Sequence, residues 1–189
     1  YTEHTMSTTS LHFISNHEIL STSADGTIKV HELNSSFTTF SDKAQERGVN
    51  GSCVIGDCVY VVGEDGDMYQ FDFRSKRLQN KAHISDNAYH MNIMPCGTNG
   101  SSPKQLVIST DNKLYTFDIA ANQVGELPVV HNSTITSISK EGALMMTSSL
   151  DGTLVRMGLK GQGPKQFHFG YRPIAYSHLV DWETVVVGF

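Results

Sequence analysis

Short runs of apolar residues alternate with turn-forming residues along the whole chain, and each run has the length of a β-strand. In the first 40 residues, the segments 10–14, 18–22, 27–31 and 36–40 show the two-residue periodicity or the continuous apolar character of strands. Turn residues separate them. We find no segment with the 3.6-residue period of an amphipathic helix. The pattern therefore predicts an all-β protein.

The strand pattern repeats around a turn that begins with aspartate. Intervals of 40, 46 and 40 residues separate four such turns, at Asp25-Gly26, Asp65-Gly66, Asp111-Asn112 and Asp151-Gly152. A period of about 40–45 residues is typical of a propeller blade of four strands. Glycine allows positive φ without steric cost, so we expect positive φ at the three turn glycines.

The repeats predict one partial β-propeller over residues 1–189. We place four-stranded antiparallel blades at about 4–40, 48–81, 83–127 and 131–169, and an incomplete fifth blade at 171–189. The segment 95–103 is an insert between the first two strands of the third unit, which explains the longer interval. The final apolar run, 184–189, is expected to be the second strand of the fifth unit. The chain is thus expected to hold about four and a half blades.

Residues 25–32 carry a family resemblance. Their sequence, Asp-Gly-Thr-Ile-Lys-Val-His-Glu, resembles the WD-repeat ending Asp-Gly-Thr-Ile-Lys-Val-Trp-Asp at all but the last two positions. The spacing from His131 to Asp151-Gly152 resembles the distance from the family's Gly-His opening to its turn, and His4 and Asp25 repeat that relation. The resemblance implies a WD-type β-propeller, usually of seven blades, which needs about 290 residues.

The chain departs from the family at the Trp-Asp pair. Other pairs replace it in each unit: His31-Glu32, Phe71-Asp72, Phe117-Asp118 and Met157-Gly158. The family's hydrogen-bonded tetrad of His, Ser or Thr, Asp and Trp is therefore expected to be complete in no blade.

Composition and motifs argue against catalysis. The nine histidines show no metal-ligand spacing, and there is no nucleophile elbow or phosphate-binding loop. Cys53, Cys58 and Cys96 fit no metal motif either. If Gly56-Asp57 is a two-residue turn, Cys53 lies opposite Tyr60, so an easy disulfide with Cys58 is not expected. We expect no enzyme activity, no metal and no cofactor.

No apolar run approaches the roughly 20 residues of a membrane-spanning helix. Four Asn-x-Ser/Thr sequons point mildly to secretion, but a chain this rich in Asn, Ser and Thr contains several by chance. We expect an intracellular protein, in the nucleus or the cytoplasm.

The resemblance implies a non-catalytic protein–protein interaction scaffold in a multiprotein complex. In this family, the loops that lead from an outermost strand to the next innermost strand share a face with the Asp-Gly turns. Tyrosine and arginine are over-represented among interface hot spots. The candidate partner-binding residues on these loops are Arg47, Asp86, Tyr89, Asn132, Tyr171 and Arg172.

Three more specific functions stay open. The segments 62–66, 86–88 and 111–112 are weakly similar to a WD-repeat subunit of the nuclear pore's outer-ring complex. Residues 71–74, Phe-Asp-Phe-Arg, resemble the Trp-Asp-x-Arg box by which some WD-repeat proteins dock on a cullin ubiquitin-ligase adaptor, as substrate-recognition subunits. The basic cluster 74–77 could contact RNA, but a net charge of −5 disfavours nucleic acid.

Overall fold

The computed structural model describes residues 4–34, 38–43, 48–86, 90–97, 103–158, 163–181 and 183–189. All regular structure in these ranges is β-strand, which confirms the all-β prediction. The strands are β1 (Thr8–Phe13), β2 (Glu18–Ser23), β3 (Thr27–Glu32), β4 (Thr38–Lys43), β5 (Val49–Ile55), β6 (Cys58–Gly63), β7 (Asp67–Asp72), β8 (Arg77–His83), β9 (Asn92–Cys96), β10 (Gln105–Ser109), β11 (Lys113–Asp118), β12 (Gln123–Val130), β13 (Ile135–Glu141), β14 (Leu144–Ser149), β15 (Thr153–Gly158), β16 (Lys165–His168), β17 (Tyr176–Leu179) and β18 (Val185–Gly188).

The strands form four four-stranded sheets and one hairpin. Each sheet is an antiparallel meander of consecutive strands: β1–β4, β5–β8, β9–β12 and β13–β16, called the first to fourth blades below. Strands β17 and β18 pair with each other and are called the terminal hairpin. Four blades of four strands match the blade architecture predicted from the repeats.

The fourth strand of the first blade lies further along the chain than predicted. The expected segment was 36–40, whereas β4 runs from Thr38 to Lys43. Its pairing with β3 reaches from His31 opposite Thr38 to Thr27 opposite Lys43, with a register shift between Val30 and His31. The end of β4 is therefore set by its pairing with β3 and not by the apolar residues of the segment itself.

The turn glycines have the expected backbone conformation. The φ angles are 80° at Gly26, 79° at Gly66 and 78° at Gly152. In each of these turns the preceding aspartate accepts a hydrogen bond from the amide two residues on, at 2.9 Å for Asp25, 3.2 Å for Asp65 and 2.9 Å for Asp151. Glycine and aspartate thus fix the hairpin between the second and third strands of these three blades.

Unit 1, residues Tyr1–Ile93, contains the first and second blades. Leu20, Ile28 and Val30 of the first blade share one buried apolar cluster with residues of the second blade, including Val59 and Val61. A polar contact also joins the two blades: Nε2 of His12, on β1, lies 3.0 Å from Oγ of Ser52, on β5. The two blades therefore pack face to face, with a few hydroxyl and imidazole contacts inside an apolar interface.

The predicted cysteine geometry is confirmed. Cys53 pairs with Tyr60, and Ile55 pairs with Cys58 across the Gly56-Asp57 turn. All three cysteines are free. Burial raises the pKa of the Cys53 thiol to about 12, so this thiol is unreactive at neutral pH.

Unit 2, residues Met94–Phe189, contains most of the third blade, the fourth blade and the terminal hairpin. The insert lies between the first two strands of the third blade, as predicted, but β9 continues to Cys96, so it begins after residue 96 and not at 95. Its residues 98–102 are outside the described ranges. One buried cluster joins the third and fourth blades, through Val107 and Leu114 on one side and Met145 and Val155 on the other. A second cluster, of Met146, Leu154, Ile174 and Leu179, joins the fourth blade to the terminal hairpin.

Candidate partner-binding rim

A chain of hydrogen bonds supports the Asp-Gly turn of the first blade. Thr27 Oγ1 donates its hydrogen to Asp25 Oδ1 at 2.5 Å. Because that hydrogen is used, Thr27 Oγ1 accepts a second hydrogen bond, from the His4 Nδ1–H group at 2.8 Å. The other ring nitrogen, His4 Nε2, then accepts from Ser21 Oγ at 2.7 Å. Ser21 Oγ in turn accepts from His31 Nε2 at 3.0 Å. These directions describe a neutral His4 with its proton on Nδ1, and they place a proton on Nε2 of His31.

The fourth blade repeats the arrangement without a second imidazole. Thr153 Oγ1 donates to Asp151 Oδ1 at 2.5 Å, and it accepts from His131 Nδ1 at 2.8 Å. His131 Nε2 accepts from Thr147 Oγ1 at 2.8 Å. The His, Ser or Thr, and Asp members of the tetrad are therefore present in the first and fourth blades. Its tryptophan is absent from both, as the sequence predicts.

Burial and hydrogen bonding set the protonation of these groups. Burial lowers the pKa of His4 and of His131 below the ordinary imidazole value. Burial alone would raise the pKa of Asp25 and of Asp151, but hydrogen bonds from Thr27 and Thr153 outweigh it and lower both values. At neutral pH each turn therefore combines a neutral histidine with an ionised aspartate.

The second blade replaces this network with a charged one. Its turn aspartate, Asp65, accepts from the Tyr69 hydroxyl at 2.6 Å. Two residues on, Asp67 takes the position of Thr27 and forms ion pairs with Lys81 Nζ at 2.7 Å and His83 Nδ1 at 2.8 Å. Sequence reasoning missed this cluster because Lys81 and His83 lie on β8, outside the repeat motif. The carboxylate at the threonine position of the Asp-Gly-Thr motif is the signal that could have found it.

In unit 2 the predicted rim residues surround the Asp151-Gly152 turn. The backbone amide of Asn132 donates to Asp151 Oδ2 at 2.6 Å, and its side chain is exposed. The Phe169 amide donates to the Gly152 carbonyl at 2.9 Å, which seats the following loop on the turn. Tyr171 and Arg172, on that loop, are exposed. Asn132, Tyr171 and Arg172 are thus brought together beside one turn.

In unit 1 the structure places Asp86 beside the Asp65-Gly66 turn. The amides of Ile84 and Ser85 both donate to the Gly66 carbonyl, at 2.9 and 3.2 Å. Asp86 is 98% exposed and lies 3.2 Å from His83 Nε2. The candidates Arg47 and Tyr89 lie outside the described residues. In each unit, the turn and the predicted loop beside it are called the turn rim below.

Arg74, the residue on which the cullin-adaptor alternative depends, lies on the turn after β7. Its guanidinium is 3.3 Å from Glu18 Oε2 and 3.4 Å from Asp57 Oδ1, and its side chain is 52% exposed. Asp72 accepts from the Arg74 and Ser75 amides, both at 2.9 Å, which fixes the turn. The arginine is half-exposed but already paired with two carboxylates.

The described part of the chain contains no group of three or more His, Cys, Asp or Glu residues that could hold a metal ion. Within the same ranges, no helix is long and apolar enough to cross a membrane.

Comparison with known proteins identifies the repeat. Residues 1–32 match the WD40 family model, described as "WD domain, G-beta repeat". No curated protein matches the chain. The computationally designed Ika8 protein superimposes with a TM-score of 0.83 at 17% identity, over 100% of this chain and 57% of its own.

Two further solved structures have similar scores. U3-55K has a TM-score of 0.80 at 15% identity, covering 98% of this chain and 59% of its own. The WD40 repeats of RRP9 have a TM-score of 0.80 at 16% identity, covering 98% of this chain and 58% of their own. The chain therefore spans under three fifths of the length of these structures, and likeness at such identities shows the fold. The predicted WD-type β-propeller fold is confirmed.

Proposed function

We propose that this chain, which has the fold of a WD-repeat β-propeller and one unit that matches the WD40 repeat, is a non-catalytic scaffold for binding other proteins. Propellers present loops on rigid sheets, and binding residues concentrate on loops held in this way. We place a partner-binding surface on the turn rim of each unit, because the loop in unit 1 carries Asp86 and the loops in unit 2 carry Asn132, Tyr171 and Arg172.

The observation that carries this proposal is the loop at Tyr171-Arg172. Tyr171 is fully exposed, and it is followed by an exposed arginine. The loop is held in place by the Phe169 amide bond to Gly152 and by close packing of the Gly170 and Arg172 carbonyls on that glycine. A tyrosine and an arginine on a fixed loop bring a large contact area and directional polar groups at low entropic cost.

The wider setting is also part of the proposal. We propose that the chain works within a multiprotein assembly of the nucleus or cytoplasm, together with the rest of its propeller. The weak resemblance to a nuclear pore outer-ring subunit makes nucleoporins the first partners to test.

The test is affinity capture from cells with the full-length protein. We expect the double variant Tyr171→Ala, Arg172→Ala to lose a captured partner about tenfold or more, with an unchanged melting temperature. The matched control is Lys165→Ala, Gln166→Ala, because both residues are exposed on β16 at the end of the blade away from the Asp151 turn. Equal capture by both double variants would rule out the Tyr171-Arg172 loop as the site.

The same capture separates the alternatives. Recovery of outer-ring nucleoporins supports the nuclear pore assignment. Recovery of a cullin adaptor that is lost on Arg74→Ala supports the ubiquitin-ligase alternative. Capture that disappears after RNase treatment and weakens steeply with salt supports RNA binding.

A further inference from the structure

His83 lies between two carboxylates that come from different parts of the second blade. Its Nδ1 is 2.8 Å from Asp67 Oδ1, on β7, and its Nε2 is 3.2 Å from Asp86 Oδ1, on the segment after β8. The side chains of His83 and Asp86 are largely exposed, whereas that of Asp67 is 14% exposed. One imidazole ring thus joins the blade to the loop that leads out of it.

Only the protonated ring can make both contacts well. A neutral imidazole carries one N–H group, so its other nitrogen presents a lone pair. Facing a carboxylate oxygen, that lone pair is repelled. An imidazolium donates from both nitrogens and forms charge-assisted bonds to both carboxylates. The geometry is therefore that of a protonated His83.

The surrounding charges favour the same state. Among the residues that the structure describes, Asp67 and Asp86 are the carboxylates that contact the ring. Lys81, on the same strand as His83, contacts the other oxygen of Asp67 at 2.7 Å and lies over the Tyr69 ring at 4.9 Å. The Tyr69 hydroxyl is engaged by Asp65. Lys81 holds Asp67 in place but leaves its Oδ1 oxygen to the histidine.

We propose that His83 is a proton-dependent clasp, which holds the segment 84–86 against the Gly66 turn and occupies the Asp86 carboxylate. When the ring loses its proton, the bond to Asp86 is lost, and Asp86 becomes available to a basic side chain of a partner. The clasp itself stands independently, whereas its effect on binding rests on the proposed function of the turn rim.

The direction of the pH effect follows from the contacts. The hydrogen bond to Asp67 raises the pKa of His83 above its usual value, against a smaller opposing effect of burial. The stabilisation is therefore fully present below the unfolded-state pKa of about 6.5 and is lost as the pH rises through the higher folded-state value. The clasp therefore opens as the pH rises above the ordinary imidazole pKa.

The clasp is tested without any partner by NMR titration of His83 in the full-length protein. We expect a midpoint above about 6.5, lowered by both Asp67→Asn and Asp86→Asn. After correction for intrinsic exchange, the Ile84 and Ser85 amides should exchange about two- to five-fold faster at pH 8 than at pH 6. His83→Gln should remove this pH dependence, and His168→Gln, at an exposed histidine on β16, should not. A midpoint that Asp86→Asn leaves unchanged would overturn the clasp.

The effect on binding is tested in the capture assay. Wild-type capture should be several-fold stronger at pH 8 than at pH 6, and His83→Gln should capture at pH 6 as wild type does at pH 8. Equal wild-type capture at both pH values would overturn the regulation while leaving the clasp intact. Failure to capture any partner would count against the proposed function alone, because the titration and exchange measurements need none.

Discussion

At the scale of single residues, Gly152 has both a left-handed backbone and no room for a side chain, whereas Gly142 has only the left-handed backbone. The φ angle of Gly152 is +78°, and a Cβ atom there would lie 2.6 Å from the Gly170 carbonyl oxygen and 2.9 Å from that of Arg172. Gly142 also has positive φ, at +56°, but a Cβ there would meet nothing within 4 Å. Backbone strain and steric exclusion can therefore be measured separately.

We expect Gly152→Ala to lower the free energy of unfolding by about 2–4 kcal/mol, because it adds a clash with two backbone oxygens to the strain of a left-handed residue. Gly142→Ala should cost about 1–2 kcal/mol, from the strain alone. Urea unfolding of the full-length protein measures both. Equal losses would mean that the loop at Gly170–Arg172 moves aside without cost, and that the loop is not fixed on the turn.

At the scale of elements, hydroxyl groups join the fourth blade to the terminal hairpin. Buried Ser137, on β13, accepts from the Ser177 amide at 2.9 Å, and Ser139 accepts from the Leu179 amide at 3.0 Å. These amides lie on the side of β17 away from solvent. Serine side chains thus satisfy backbone groups that would otherwise be buried without a partner.

Ser137→Ala should therefore lower the free energy of unfolding by about 1–3 kcal/mol, because the buried Ser177 amide loses its acceptor. Hydrogen exchange should rise in the peptide that covers β17. Thr116→Ala is the matched control, since its hydroxyl makes an exposed bond of 3.4 Å to Gly125 and should cost little. No increase in exchange at β17 would show that water replaces the serine hydroxyl.

The contrast between elements explains what the sequence could predict. The Asp-Gly turns, the blade period and the Cys53–Tyr60 pairing depend on residues close in sequence, and the structure has each of them. The end of β4 depends on the register with β3, and the His83 cluster depends on side chains from two strands and a loop. The pairing of Asp67 with Lys81 and His83 becomes visible only once β7 and β8 are aligned. Local sequence patterns therefore predict the turns and strands. The charged cluster around Asp67 and His83 can be recognised only from the three-dimensional arrangement of the strands.

At the scale of the whole molecule, some strands expose large apolar side chains on one face. On β1, Ser10 and His12 contact Ser52 of the second blade, so the alternating residues Leu11 and Phe13 point the other way. They are 65% and 78% exposed. In the terminal hairpin, Val186 is 57% exposed, and β17 is the one strand of the described ranges that pairs with β18. Exposed apolar faces and an open strand edge favour association between molecules.

We expect residues 1–189, expressed alone, to aggregate or to melt without one sharp transition, because no described residue covers these faces or pairs with the β18 edge. The triple variant Leu11→Thr, Phe13→Thr, Val186→Thr should remain soluble at higher concentration, since threonine keeps strand propensity while removing apolar surface. Light scattering and calorimetry measure the two effects. Leu20→Thr, at a fully buried position of the first blade, is the control and should make aggregation worse by destabilising the fold. A soluble wild-type monomer with a single sharp transition would show that the exposed faces do not limit the stability of this chain.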